Sequence, residues 1–284
     1  MSSIQEAVKL LPPSTLFVNR RNGITTSYRM NSPQSKDLNT ETSKLPLVFL
    51  HGFNGSSKSW ACQFANFTDH VVIAIDAPGF GGSHLVEGGM AAIGNEIADL
   101  ITSLDLGPVI IIGHSMGGMQ AQIMAATRPD LCAGLVLSCT HKGYANTSGT
   151  PLGDEIMQRI QHRETLDNAG YGALRIRKML AGDIAPDVFN FLAEVAGEIK
   201  VDGIISGGTA MHYLDTTDLL AKISAPAIIF TSEMDIVVSS TASSALGAGL
   251  PKARQIQLAG VGHAPYCEDA PQFNMVLSNF LESI

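Results

Sequence analysis

A serine flanked by glycines is the residue whose setting most directly suggests chemistry. The segment 113–118 reads GHSMGG, and it places Ser115 between an apolar run (109–112) and a helix-like stretch (116–127). A serine hydroxyl is a poor nucleophile, and a sharp strand-to-helix turn can hold it clear of the backbone and beside a base. Such a turn crowds its neighbours, so glycine is needed two residues before the serine and two after it. The helix N-terminus behind the serine also favours developing negative charge. The segment therefore predicts that Ser115 is a nucleophile.

A second glycine-flanked loop, HGFNGS at 51–56, directly follows the apolar run LPLVFL. Acyl transfer needs two backbone N–H groups aimed at the oxyanion of the tetrahedral intermediate. We expect one from Met116, the residue after the nucleophile, and the other from Phe53 in this loop. A plain glycine turn after a strand is the alternative interpretation of the loop.

Short apolar runs alternate with stretches of helical length from residue 45 onward. The runs lie at 45–50, 71–75, 109–112, 135–137 and 227–230. They are apolar along their whole length, as strands buried on both faces of a parallel sheet are. Segment 91–104 has apolar residues at helical spacing, and 116–127 continues as a helix until Pro129. The alternation predicts an α/β fold with a mostly parallel central sheet, which would bind ligands at the carboxyl ends of its strands.

The N-terminal region has a different pattern. Residues 15–31 read as two strands joined at Asn22-Gly23, a strong hairpin signal. The polar segment 32–44 that follows is predicted to be an exposed loop.

The strand pattern is interrupted between residues 141 and 224. Helix candidates lie there at 157–166, 173–180, 187–195 and 217–223, and no segment reads convincingly as a strand. Ordinary crossover helices are one interpretation, but the insertion is much longer than one crossover needs. We therefore predict an α/β core at 1–140 and 225–284, with a helical cap at 141–224 over the carboxyl edge of the sheet.

The composition of the chain restricts the classes of molecule that it can bind. Hydrophobic residues make up 45% of the chain, the formal net charge is −8, and there is no Lys/Arg run, which argues against a nucleic-acid partner. The cysteines, Cys62, Cys132, Cys139 and Cys267, lack metal-ligand spacing and read as buried thiols. With neither a signal peptide nor a membrane span recognisable in the sequence, we expect a cytoplasmic location and no membrane partner.

Three motifs together resemble the α/β-hydrolase superfamily: HGFNGS at 51–56, DAPGFGGS at 76–83 and GHSMGG at 113–118. With GLVLSCT at 134–140, the serine motif is similar to the branch that holds 3-oxoadipate enol-lactonases, meta-cleavage-product hydrolases and small carboxylesterases. The likeness extends from about residue 45 to the end of the chain, except for the cap. It implies the α/β-hydrolase fold, a cofactor-free enzyme and a helical cap. The histidines show no metal-ligand pairing, so no metal site is expected.

The family's order of nucleophile, acid and histidine implies the remaining catalytic residues. The acid should follow the strand after the cap, where AIIFTSEMDIVVS supplies Asp235, with Glu233 as the less favoured alternative. Ser232 stands in that turn where the family usually has glycine. The histidine should follow the last strand, where GVGHAPYCEDAP supplies His263. The resemblance thus implies a triad of Ser115, His263 and Asp235.

The same resemblance implies that the chain hydrolyses an ester or lactone of a small organic molecule through an acyl-enzyme. Serine at the turn separates it from epoxide hydrolases and haloalkane dehalogenases, which carry aspartate there. Meta-cleavage-product hydrolases usually have GNSMGG and a tryptophan after the histidine, whereas this chain has GHSMGG and Ala264. Carbon–carbon bond hydrolysis is therefore a disfavoured alternative. A cofactor-free perhydrolase and a non-enzymatic small-molecule receptor are the others, and the oligomeric state is left open.

The cap is expected to choose the substrate. Some of its apolar residues should line the cavity and select a compact, partly apolar substrate; the candidates are Leu166, Leu174, Met179, Leu180, Phe189, Phe191 and Leu192. Arg175, Arg177 and Lys178 share one candidate helix, and a solvated helix face is the favoured interpretation of them. If one of them faced the cavity instead, a carboxylate substrate would be implied.

Overall fold

A single twisted sheet forms the centre of the molecule. The computed structural model describes residues 3–31, 44–180, 182–250 and 252–284, so the predicted loop at 32–44 lies outside the described residues apart from Lys44. In this part of the chain the strands are β1 (Ser14–Val18), β2 (Thr25–Met30), β3 (Leu47–Leu50), β4 (Val72–Ile75), β5 (Val109–His114), β6 (Cys132–Ser138), β7 (Ala227–Ser232) and β8 (Arg254–Leu258). Their order in the sheet is β1-β2-β4-β3-β5-β6-β7-β8.

The sheet is parallel except at one edge. Strands β1 and β2 form the predicted hairpin, with Val18 opposite Thr25 and Gly23 in the left-handed region at φ 74°. Strand β2 pairs antiparallel with β4, and from β4 to β8 every neighbouring pair is parallel. The buried strands β3, β4, β5 and β7 are covered along their whole length, which explains their unbroken apolar runs.

Helices cover both faces of the sheet. They are α1 (Ile4–Lys9), α2 (Ala61–Asn66), α3 (Gly89–Ser103), α4 (Met116–Thr127), α5 (Asp154–Thr165), α6 (Asn168–Arg177), α7 (Pro186–Gly197), α8 (Val201–Tyr213), α9 (Thr217–Leu220), α10 (Ser240–Gly249), α11 (Pro265–Glu268) and α12 (Ala270–Leu281). Along β5, Val109 and Ile111 point into one apolar core and Ile110 and Ile112 into the other, as the two-residue period of a strand requires. No helix in the described residues is both long and apolar enough to cross a bilayer.

Five helices, α5 to α9, connect β6 to β7, and the described residues of this connection contain no strand. Four of the five correspond to predicted helices, but α8 was not predicted. Its glycines lower helix propensity, and the structure uses them for close packing. A Cβ at Gly207 would lie 2.8 Å from the Phe53 ring, and one at Gly203 would lie 2.5 Å from the carbonyl oxygen of Gly79. Residues of α8 belong to the same apolar cluster as the sheet and its helices, so packing does not separate this helix from the core. The division into core and cap stays a prediction.

Candidate active site

Ser115 occupies the turn between β5 and α4 in a strained conformation. Its φ of 51° and ψ of −117° lie outside the regions that residues with a side chain prefer. Hydrogen bonds hold it there: its N–H donates to the carbonyl of Ser138 (2.9 Å), and its own carbonyl accepts from the Thr140 hydroxyl (2.6 Å) and the Gly118 N–H (2.9 Å). These bonds from β6, the residues after it and α4 fix the strand-to-helix turn that the sequence predicts.

Glycines are required on both sides of this serine. A Cβ at Gly113 would lie 2.4 Å from the carbonyl oxygen of Gly117, and one at Gly117 would lie 2.1 Å from the carbonyl oxygen of Leu50. A Cβ at Gly52 would lie 2.9 Å from the His114 ring and 3.1 Å from Cβ of Ser115. The loop after β3 therefore packs directly against the serine turn.

A chain of hydrogen bonds connects the three residues expected to form a triad. His263 Nε2 lies 3.1 Å from Ser115 Oγ, and its Nδ1 lies 2.9 Å from Asp235 Oδ2. The other carboxylate oxygen of Asp235 accepts the N–H groups of Val237 (2.8 Å) and Val238 (2.9 Å). The His263 and Asp235 side chains are only 4% and 3% exposed. Burial raises the pKa of Asp235, but the hydrogen bonds from His263 and the two N–H groups outweigh it, and the pKa falls below its ordinary value.

The structure separates the two candidate acids. Glu233 is exposed, and its carboxylate accepts the N–H of Gly260 (2.8 Å), whereas Asp235 is hydrogen-bonded to His263. Ser232, which replaces the family's usual glycine, keeps the turn, since its carbonyl accepts the N–H of Asp235 (3.4 Å).

A carboxylate that the sequence analysis did not single out holds the histidine loop. Glu268 accepts the N–H groups of Gly262 (2.8 Å) and Ala264 (2.7 Å), the residues on either side of His263. Burial raises the pKa of this carboxyl group, although both N–H groups oppose the rise. Its position five residues after the histidine was the only signal in the sequence. Glu268 is therefore a positioning residue for His263.

The two predicted oxyanion donors lie beside the serine. Phe53 lines the same cavity as Ser115, and Met116 follows Ser115 at the start of α4. Within the described residues, the N–H groups of Phe53 and Met116 donate to no protein acceptor. Both groups are therefore available to a ligand.

Two buried polar residues of the neighbouring loops stabilise the architecture instead. Asp76 accepts the N–H of Ser57 and the hydroxyl of Ser27, each at 2.6 Å, and His51 Nε2 accepts the N–H of Ala77 (2.9 Å). These bonds tie the loops after β3 and β4 to the hairpin. Asp76 therefore has a structural role.

One group of side chains in the described residues has donor atoms close enough for a metal ion. Cys139, Asp235 and His263 bring one such atom each to within 4.8 Å of one another. Burial, and then the charge of Asp235, raise the pKa of the Cys139 thiol. Because Asp235 and His263 already bond each other, the arrangement suits a hydrogen-bonded triad better than a metal centre.

A cavity of ≈ 410 Å³ opens above the serine. Ser115 and His263 line it from the sheet side, and α5, α6 and α8 contribute Ile156, Arg175 and Met211 from the other side. Of the apolar residues expected to line it, Met179 alone does so among the described residues.

The cationic residues of the cap also differ from expectation. Arg175 and Lys178 line the cavity. The favoured interpretation of a solvated helix face was wrong for Arg175, which is buried, whereas Lys178 is exposed at the cavity. Arg177 lies outside the cavity with its guanidinium 5.9 Å from the Phe189 ring. The sequence analysis missed Arg159, which also lines the cavity, because an arginine on a polar helix carries no signal of burial.

Comparison with known proteins identifies the family. The sequence pattern of the alpha/beta hydrolase fold matches residues 46–188, about half of the chain. The chain belongs to the α/β-hydrolase fold family. The predicted family and fold class are thereby confirmed, and as a member of this family the chain is an α/β-fold hydrolase.

Relatives extend over most of this α/β-hydrolase. A protein of Pseudomonas savastanoi named as the carbamate hydrolase RutD is 27% identical over 252 residues, which are 84% of this chain and 93% of that protein. A pimeloyl-acyl-carrier-protein methyl ester esterase of Yersinia pestis is 23% identical over 83% of this chain and 93% of its own length. The crystal structure of the enol-lactonase from Burkholderia xenovorans has a TM-score of 0.79 at 19% identity and covers 94% of this chain and 100% of that one. At that identity the likeness to the enol-lactonase concerns the fold.

Proposed function

We propose that this protein is a serine hydrolase that cleaves an ester or lactone of a small organic molecule through an acyl-enzyme. The observation that carries the proposal is the geometry of Ser115: a strained serine whose Oγ lies 3.1 Å from an imidazole nitrogen, while the other ring nitrogen lies 2.9 Å from a buried carboxylate. Acyl transfer requires a nucleophile beside a base, and a third group that orients the base.

The steps follow from these contacts. His263 removes the proton of Ser115 as Oγ attacks the carbonyl carbon, and Asp235 holds the Nδ1 tautomer and stabilises the imidazolium. The N–H groups of Phe53 and Met116 stabilise the oxyanion, each by about 3 kcal/mol. His263 then protonates the leaving oxygen. Water, activated by the same imidazole, releases the acyl group and restores the serine.

The relatives support attack on a carbonyl carbon. Their names refer to a carbamate and a methyl ester, and each of these bonds joins a carbonyl to a heteroatom leaving group. We take this bond class as the substrate class of the present chain. A perhydrolase would use the same three residues, and it would differ by forming a peracid from a carboxylic acid and hydrogen peroxide.

Turnover of p-nitrophenyl acetate tests the proposal. The wild-type protein should release p-nitrophenol catalytically, and Ser115→Ala should reduce kcat at least about 10³-fold while its circular dichroism and melting temperature stay unchanged. Activity should also survive exhaustive dialysis against EDTA. Binding without turnover across a panel of short esters and lactones would favour a receptor, and loss of activity with EDTA that a divalent ion restores would contradict the mechanism.

A further inference from the structure

The cavity above the serine carries positive charge in an acidic protein. Three cationic side chains line it, those of Arg159, Arg175 and Lys178, while Glu155 is the one carboxylate among the described lining residues. The chain as a whole has a formal net charge of −8. A concave surface of one sign attracts a ligand of the opposite sign, so this cavity favours an anion.

Of the three cationic side chains, that of Arg175 is the one that is buried without hydrogen bonds to the described residues. Its side chain is 6% exposed, and within the described part of the chain its guanidinium makes no hydrogen bond; the nearest carboxylate oxygen, Oε1 of Glu155, is 3.8 Å away. Its Nε is also buried without a hydrogen-bond partner among the described residues. Burying a charge without hydrogen bonds is costly, so an anion that accepted hydrogen bonds from this guanidinium would stabilise it. Burial and the nearby Arg159 lower the pKa of Arg175 to about 10, so the group stays charged at neutral pH.

Arg159 is held in place beside it. Its guanidinium donates to the side-chain oxygen of Asn54 (3.0 Å) and to Glu155 (2.8 Å), and it lies 4.9 Å from the centre of the Phe53 ring. Glu155 is itself 71% exposed and stands at the rim, where it offsets part of the positive charge. Arg159 thus forms a fixed wall, and Arg175 presents free donors.

We propose that Arg175, with Arg159 and Lys178 beside it, binds a carboxylate of the substrate distinct from the bond that is cleaved. The planar guanidinium matches a carboxylate with two parallel hydrogen bonds. A cavity of ≈ 410 Å³ holds a compact molecule. The preferred substrate is therefore a short half-ester, or a lactone that carries an acid group. This proposal rests on the proposed ester or lactone hydrolysis, but the anion site can be tested without turnover.

Two matched esters measure the preference. Monoethyl glutarate and ethyl pentanoate differ in that a carboxylate replaces the terminal methyl group. In a pH-stat assay the wild type should hydrolyse monoethyl glutarate with the higher kcat/KM. Arg175→Met should lower kcat/KM for monoethyl glutarate about 10- to 100-fold and change that for ethyl pentanoate by less than about threefold. Arg177→Met, on the same helix but outside the cavity, is the control and should change neither.

Stability distinguishes binding from a structural role. Because Met removes a buried charge that makes no hydrogen bond and has only a distant ion pair with Glu155, the melting temperature of Arg175→Met should be no lower than that of the wild type. If that variant does not fold, Arg175→Gln gives the same comparison. A preference for ethyl pentanoate in the wild type, or an equal loss with both esters in the Arg175 variant, would overturn the proposal while leaving the hydrolase function intact.

Calorimetric titration of glutarate into Ser115→Ala separates the two proposals. If glutarate binds Ser115→Ala but not the double variant Ser115→Ala/Arg175→Met, the anion site is supported. This holds even if the wild type turns over no ester, in which case only the proposed function fails. Binding that is unchanged by Arg175→Met overturns the anion site. Inorganic phosphate binding as tightly as glutarate would also overturn the assignment to a carboxylate.

Discussion

Replacing Asp235 with asparagine should disable the imidazole while leaving the fold intact. The Oδ1 atom accepts two backbone N–H groups, from Val237 at 2.8 Å and Val238 at 2.9 Å. The asparagine oxygen would keep both bonds, which turns the amide nitrogen toward His263 Nδ1. That ring nitrogen must then accept a hydrogen bond from the amide and carry no proton of its own, so the ring's proton sits on Nε2 and faces Ser115 Oγ at 3.1 Å. An imidazole in this tautomer cannot act as the base.

The expected loss in kcat for Asp235→Asn is about 10⁴-fold, or about 5.5 kcal/mol of transition-state stabilisation. Steady-state kinetics with p-nitrophenyl acetate measure it. Glu233→Gln is the matched control, because that exposed carboxylate bonds Gly260 rather than the histidine, and it should change kcat less than about threefold. Equal losses in the two variants, or a larger loss at Glu233, would refute the assignment of the acid.

Other substitutions test the framework around the triad. Gly117→Ala should destabilise the protein by about 3 kcal/mol or more, measured by urea unfolding, since its Cβ would lie 2.1 Å from a backbone oxygen of β3; Gly153→Ala, with open space around it, is the control. Glu268→Gln should lower kcat about tenfold with little change in KM, because the loop carrying His263 loses a charged acceptor, and an effect on KM alone would contradict that role. The pKa of Asp235 is lowered in the folded state, so its stabilisation should persist above about pH 4 and fade as the pH falls further. Unfolding of the wild type and Asp235→Asn between pH 7 and 3 checks this, and a difference that grows toward acid would be inconsistent with it.

The parts of the site that sequence could predict are those that local geometry dictates. Ser115 needs glycines around it because its turn leaves no space for a Cβ, so the motif and the conformation imply each other. Gly23 in the hairpin loop likewise adopts a φ of 74°, a conformation that glycine tolerates and most residues avoid. Asp235 and His263 came from a resemblance in chain order, and the structure places them within hydrogen-bonding distance of each other.

The parts that sequence could not predict depend on how distant elements dock. Arg159 and Arg175 lie on polar helices, and only the packing of α5 and α6 over the cavity determines that they are buried. Helix α8 was missed for a related reason. Glycine lowers helix propensity, and the sequence does not show that Gly207 packs against the Phe53 ring. These contacts join residues far apart in the chain, which no local pattern records.

Mass spectrometry of a trapped intermediate tests the central claim most directly. The wild-type protein is mixed with excess p-nitrophenyl acetate, quenched in acid within milliseconds and digested. We expect one acetyl group on the peptide that contains Ser115. His263→Ala should form it at least about 10³-fold more slowly, and Ser115→Ala should not form it. Acetylation of a different residue at a rate that matches turnover, or full turnover by Ser115→Ala free of contaminating esterase, would contradict the assignment of Ser115 as the nucleophile.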